Sequence, residues 1–173
     1  SWPQPPPKGW NNQKNVGQYI WDVINPNPNK WKSGIRFMHF MLEKHANNTV
    51  LRTRTMESLG RMYFDFFRDY PRAAFWLRAA GAERNPSPKG VRLAECYWRM
   101  GNADMAKELL GKLPLYHHTI KLWADMGEIE KAVQIAVAFH RSGYSELAYL
   151  SAGDACRTAG KLDDAVNYYE RVL

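Results

Sequence analysis

The sequence predicts an all-α chain whose helices, nine or ten in number, pair into hairpins and stack as a solenoid. Three observations carry the prediction. The segments GNADMAKELL, GEIEKAVQIA and GKLDDAVNYY begin at Gly101, Gly127 and Gly160 and share one layout: a Gly, a short polar stretch, an Ala five residues after the Gly, then a mostly apolar run. Those glycines lie 26 and 33 residues apart, the length of one helix–turn–helix unit. No run of period-two alternation is bounded by hairpin turns, so no strand is predicted.

The elements follow in order. SWPQPPPKGW reads as a polyproline II or tail segment, and Pro3-x-x-Pro6-x-Lys8 fits a PxxP pattern followed by a basic residue. NVGQYIWDVI is a short helix with Tyr19, Ile20, Val23 and Ile24 at helical spacing. The two prolines of NPNPN, Asn25 to Asn29, then break the chain. We divide the sequence there into a proline-rich tail with a short helix, residues 1–29, and a helical repeat domain, residues 30–173, expected to continue in the natural protein. Trp31, Ile35, Met38, Met41 and Leu42 form the apolar face of the next helix. Met56, Leu59, Tyr63, Phe66 and Phe67 do the same for its successor. Pro71 opens a helix that Gly81 closes, and Ser87-Pro88 reads as the cap and first residue of another.

The three repeated glycines then make physical sense. About a dozen helix-compatible residues precede each, and a left-handed helix end suits Gly best. Ala106, Ala132 and Ala165 are small residues early in the second helix of each unit, so its two helices can approach closely. A hairpin of this kind cannot bury its apolar stripe alone, whereas stacked hairpins can.

These residues resemble the tetratricopeptide repeats. That pattern has a large apolar residue, a small one beside it, a Tyr three further on, then Gly, then Ala five after it. LAECYWRMGNADMA matches through Leu93, Ala94, Tyr97, Gly101 and Ala106. LSAGDACRTAGKLDDA matches through Ala152, Gly153, Gly160 and Ala165, with Cys156 in place of Tyr and Tyr169 as the second-helix aromatic. ESLGRMYFDFFRDYPRAA carries Leu59, Gly60, Tyr63 and Ala73, with a one-residue slip and no Gly at its turn. The copy around YHHTIKLWADMG has a shortened first helix, with Ile120 and Trp123 at the small and Tyr positions. The resemblance spans residues 50–173 and implies a right-handed solenoid.

Composition bounds the function. The chain has 173 residues, 45% of them hydrophobic and 13% aromatic, enough apolar surface for a core. No stretch approaches the ~18 uncharged apolar residues of a membrane span. The net charge of +7 is uneven: Lys30 to Arg92 holds thirteen Lys and Arg against five acids, whereas Leu93 to Leu173 holds nine against eleven. A basic stretch of this kind suits nucleic acid, an acidic partner or anionic lipid, or forms a solvated Arg-laced face. Cys96 and Cys156 are too far apart for a zinc pattern and sit inside helical runs, as buried thiols do.

The motifs of catalysis are missing. No HExxH, GxSxG or phosphate-cradling Gly-rich loop occurs, and none of the five histidines has a partner at i,i+4. Asp163, Asp164, Glu128 and Glu130 are first-turn acids that complement helix dipoles. We therefore expect no enzyme, no cofactor and no metal site, and the sequence assigns no compartment.

Function then rests on surface. The resemblance implies a protein-interaction scaffold that binds a partner peptide or helix in a groove lined by the first helix of each hairpin. Carried over residue by residue, the groove positions are Arg54, Glu57 and Arg61, then Glu95, Trp98 and Arg99, then His117 and Lys121, then Leu150, Asp154 and Arg157. Cations with one large aromatic suit an acidic or carboxylate-ended peptide. The Lys/Asn clamp of carboxylate-binding family members is not reproduced. Alternatives are single-stranded RNA on the basic surface, where Arg52, Arg54, Arg61, Tyr63 and Phe64 mix cations with aromatics, and an assembly segment of a larger enzyme. The last helix ends with Val166, Tyr169, Val172 and Leu173 uncapped, which would suit self-association.

Overall fold

Polar caps and left-handed turns divide this chain into helices. The computed structural model describes residues 13–84, 88–113, 119–138 and 145–172. Ten α-helices occupy them: α1 (Gln13–Tyr19), α2 (Trp31–Lys44), α3 (Thr49–Asp65), α4 (Tyr70–Ala79), α5 (Pro88–Arg99), α6 (Ala103–Lys112), α7 (Thr119–Asp125), α8 (Ile129–Ala138), α9 (Ser145–Thr158) and α10 (Leu162–Glu170). No strand occurs among the described residues. Asn48, Asp69 and Asn102 cap α3, α4 and α6, each accepting a backbone N–H three residues on, from Leu51, Arg72 and Met105 at 3.1 Å. Ser87, read as the cap of α5, and the PxxP segment lie outside the described residues.

Gly101, Gly127 and Gly160 all have positive φ, between 77° and 84°, as the repeated phrase predicts. At Gly127 the N–H of Glu128 bonds the Trp123 carbonyl and that of Gly127 the Ala124 carbonyl. The N–H groups of Lys161 and Gly160 repeat this on Cys156 and Arg157. Both are Schellman closures, which satisfy carbonyls that a helix end leaves orphaned. The α3–α4 turn has no Gly. There Arg68 takes the left-handed conformation at φ 49°.

The chain forms two units, residues 1–100 and 101–173. In the first, α1 runs on as a π-helical turn, Ile20–Ile24, until Pro26 stops it. Asn27 Nδ2 donates back to the Val23 carbonyl at 2.6 Å, and Trp31 Nε1 to the Asn25 carbonyl at 3.2 Å. Val16, Ile20 and Ile24 are buried in one cluster with Phe37, Met38 and Met41 of α2 and Leu51, Leu59 and Met62 of α3. Next, α3 and α4 pair as a hairpin, and α5 packs on both. In the second unit α9 packs on α10, α8 and α7, so the hairpins α7–α8 and α9–α10 stack directly. Ala132 and Ala165 are buried, as is Ala106 at the same place in α6. Gly153 of α9 gives the closest approach: a Cβ built there would lie 2.5 Å from a ring carbon of Tyr169 on α10.

Candidate functional site

The chain's basic stretch gathers in the first unit. A groove of about 800 Å³ opens there between the α1 segment, α3 and α5. Helical spacing places Arg54, Glu57 and Arg61 on one face of α3, and all three line it. From α5, Lys89 and Arg92, one turn apart, complete the cationic wall. Trp21, 64% exposed, and Val50 stand among the lining residues.

The cations differ in how they are held. Arg61 keeps only 15% of its side chain exposed. It donates to Asn25 Oδ1 at 3.2 Å and lies over the rings of Trp21 and Phe66, 5.1 and 5.6 Å from their centroids. Burial lowers its pKa, Asp65 opposes that shift, and Arg92 adds to it. Asp65 is shared: Arg61 reaches it at 4.0 Å and Arg92 at 3.9 Å, both long for an ion pair. Lys89, with 14% of its side chain exposed, donates to Glu57 at 2.7 Å and to the Ala80 carbonyl at 3.1 Å. Arg54 sits largely in solvent, 3.7 Å from the other Glu57 oxygen. The groove lining thus holds four cations against the carboxylate of Glu57, and with Asp65 behind Arg61 and Arg92 the cluster still keeps a net positive charge.

The remaining sequence-predicted residues lie elsewhere. Glu95, Trp98 and Arg99 form their own cluster at the end of α5. The Arg99 guanidinium lies 4.7 Å from the Trp98 ring centroid and 5.9 Å from that of Tyr70, with Glu95 3.6 Å away. None of the three lines the groove of α3. In the second unit, Lys121 pairs with Asp125 at 2.6 Å. Leu150 is exposed on α9. Asp154 accepts the Tyr169 hydroxyl at 2.5 Å, with Arg157 at 3.9 Å. Leu162 and Val166 are exposed on α10. His117 lies outside the described residues.

Sequence reasoning missed Trp21, Lys89 and Arg92. The i,i+3 spacing of Lys89 and Arg92 was a readable sign of one shared face. Trp21 carried no such sign, because its place depends on how the α1 segment docks. Among the described residues, no group of three or more His, Cys, Asp or Glu is placed to hold a metal ion. No described helix is long and apolar enough to cross a membrane.

No curated protein and no solved structure matches the chain. A family model described as Tetratricopeptide repeat matches residues 147–173, which hold α9 and α10. Repeats of that family generally mediate protein–protein interaction and are typically non-catalytic. Residues 147–173 thus form a tetratricopeptide-like repeat, and α3–α4 and α7–α8 also pair as helical hairpins.

Proposed function

We propose that this chain is a non-catalytic interaction scaffold whose groove between the α1 segment, α3 and α5 receives an acidic segment of a partner protein. The observation that carries the reading is the charge of that groove: Arg54, Arg61, Lys89 and Arg92 against one carboxylate, beside an exposed indole. Arg54 and Arg92 would supply forked donors to partner carboxylates. Trp21, backed by Arg61, would be the apolar anchor, the residue type that dominates binding energy at interfaces. Glu95, Trp98 and Arg99 in the first unit would add contacts of their own, as would Lys121, Leu150, Asp154 and Arg157 in the second. Single-stranded RNA is the second reading, since cations beside a stacking aromatic also suit bases and phosphates.

The test places a photo-crosslinking phenylalanine at Val50, which is exposed at the groove, in the full chain. Crosslinking in lysate of the source cells should capture a protein through an acidic segment, mapped by mass spectrometry. Capture should persist at moderate salt and be lost with Trp21→Ala or with Arg54→Ala/Arg92→Ala. Crosslinks that ignore those substitutions, or that map to segments without acids, would overturn the reading. Capture of RNA that vanishes with added salt would replace it with the second.

A further inference from the structure

A second concavity of the first unit has a different chemistry. It is a cleft of about 680 Å³ between α2 and α4, walled by His39, Tyr63, Phe75 and Trp76, with Asp69 and Arg72 beside them. The rings stand on edge to one another: His39 and Trp76 meet at 73° with centroids 5.3 Å apart, and Phe75 and Trp76 at 89° and 5.0 Å. Edge-to-face contact at these distances joins the rings into one continuous aromatic surface. Phe75 is 64% exposed, whereas Tyr63 and Trp76 also pack against the core of the first unit. Among the described residues neither the Tyr63 hydroxyl nor the Trp76 indole N–H is engaged in a hydrogen bond.

An exposed aromatic surface beside free Tyr and Trp donors suits one kind of backbone. A polyproline II segment makes no internal hydrogen bonds, so its carbonyls need outside donors, and its rings fill aromatic-lined grooves at low entropic cost. The cleft also has a carboxylate, Asp69, for a neighbouring cation. Its present partner, Arg72, is 69% exposed on its side chain and is free to swing away. This chain itself contains such a ligand sequence: Pro3, Pro5, Pro6 and Pro7 followed by Lys8.

We propose that the cleft of His39, Tyr63, Phe75 and Trp76 is a docking site for a proline-rich segment in polyproline II conformation carrying a basic residue, separate from the groove of α3. The exposed face of Phe75, with Trp76 beside it, packs the proline rings, Tyr63 and Trp76 donate to the carbonyls, and Asp69 takes the cation.

The test is fluorescence anisotropy with a labelled peptide of residues 2–10, WPQPPPKGW, against the full chain. A second full chain carries Pro5→Ser, Pro6→Ser and Pro7→Ser, so that its own segment does not compete. Saturable binding to either chain is expected. Phe75→Ala should weaken it about tenfold, as loss of an anchor does. Tyr63→Phe, which keeps the ring, should weaken it about threefold through one lost hydrogen bond, and Trp76→Phe, which also shrinks the aromatic surface, should weaken it more. Asp69→Asn, which still caps α4, should weaken binding of this peptide but not of one with Lys8→Ala. Arg54→Ala, in the other groove, should change nothing. No saturable binding to either chain would overturn the proposal. So would binding that ignores Phe75→Ala, or equal binding of a peptide whose prolines are replaced by serine.

Discussion

The Tyr169 ring closes on Gly153, where a Cβ would meet three of its carbons at 2.5 to 3.0 Å. Gly153 is therefore fixed by its neighbour and not by its own dihedral angles. Gly153→Ala should destabilise the second unit by about 1–3 kcal/mol, the usual cost of overpacking. A Tyr169→Leu partner change should return part of that loss. Thermal melts of the two single variants and the double variant give the coupling directly.

The turn residue Arg68 does what a Gly would do more cheaply. At φ 49° its Cβ crowds the backbone, and it is exposed, so no packing compensates. Arg68→Gly should stabilise the α3–α4 hairpin by about 0.5–1 kcal/mol, after the greater freedom of Gly in the unfolded chain is subtracted. Gly127→Ala is the reverse experiment. Nothing lies within 4 Å of a Cβ built there, so the loss of about 1 kcal/mol should be a backbone effect alone. Urea titration should move the two midpoints in opposite directions.

Lys89 and Glu57 are 32 residues apart and tie α5 to α3 through a largely sheltered 2.7 Å contact. Glu57→Gln leaves the ammonium under-paired and should cost about 1–2 kcal/mol. The Lys112–Glu108 pair is 68% exposed on both sides. Glu108→Gln should therefore stay within about 0.5 kcal/mol of the parent. Equal losses from the two changes would mean that burial does not distinguish these pairs.

Each unit contains one buried free thiol, Cys96 in the first and Cys156 in the second. Burial pushes the Cys96 thiol up to about 12, and Glu95 adds to the shift. Burial raises Cys156 as well. A raised acid favours the protonated fold, so this contribution is complete below the ordinary thiol value near 9 and is lost as the pH climbs towards 12. At pH 8 alkylation should be slow at both sites and should follow opening of the fold. Separate labelling rates for Cys96 and Cys156, read by mass spectrometry, would show that the units open independently. One shared rate would show a single cooperative transition.

Much of the fold was legible because it depends on local chemistry. A left-handed glycine at the end of a helix is a short-range requirement, and Gly101, Gly127 and Gly160 announce it in sequence. Ala132 and Ala165 announce the close approach that follows. The α3–α4 turn was harder to read, since Arg68 reaches the same conformation without the residue that signals it. The groove was legible on α3 alone, where Arg54, Glu57 and Arg61 obey helical spacing. Trp21 and Lys89 join them only through docking of elements distant in sequence. No periodicity within one helix encodes that.

The Schellman turns have a kinetic consequence. Each brings together two helices that are adjacent in the chain, so these contacts span at most roughly 30 residues, the range in which loop closure costs little and folding is fast. A hairpin leaving the ribosome already contains both of its partners. It can close before the next one has been synthesised, and the array can be built in the order in which it is translated.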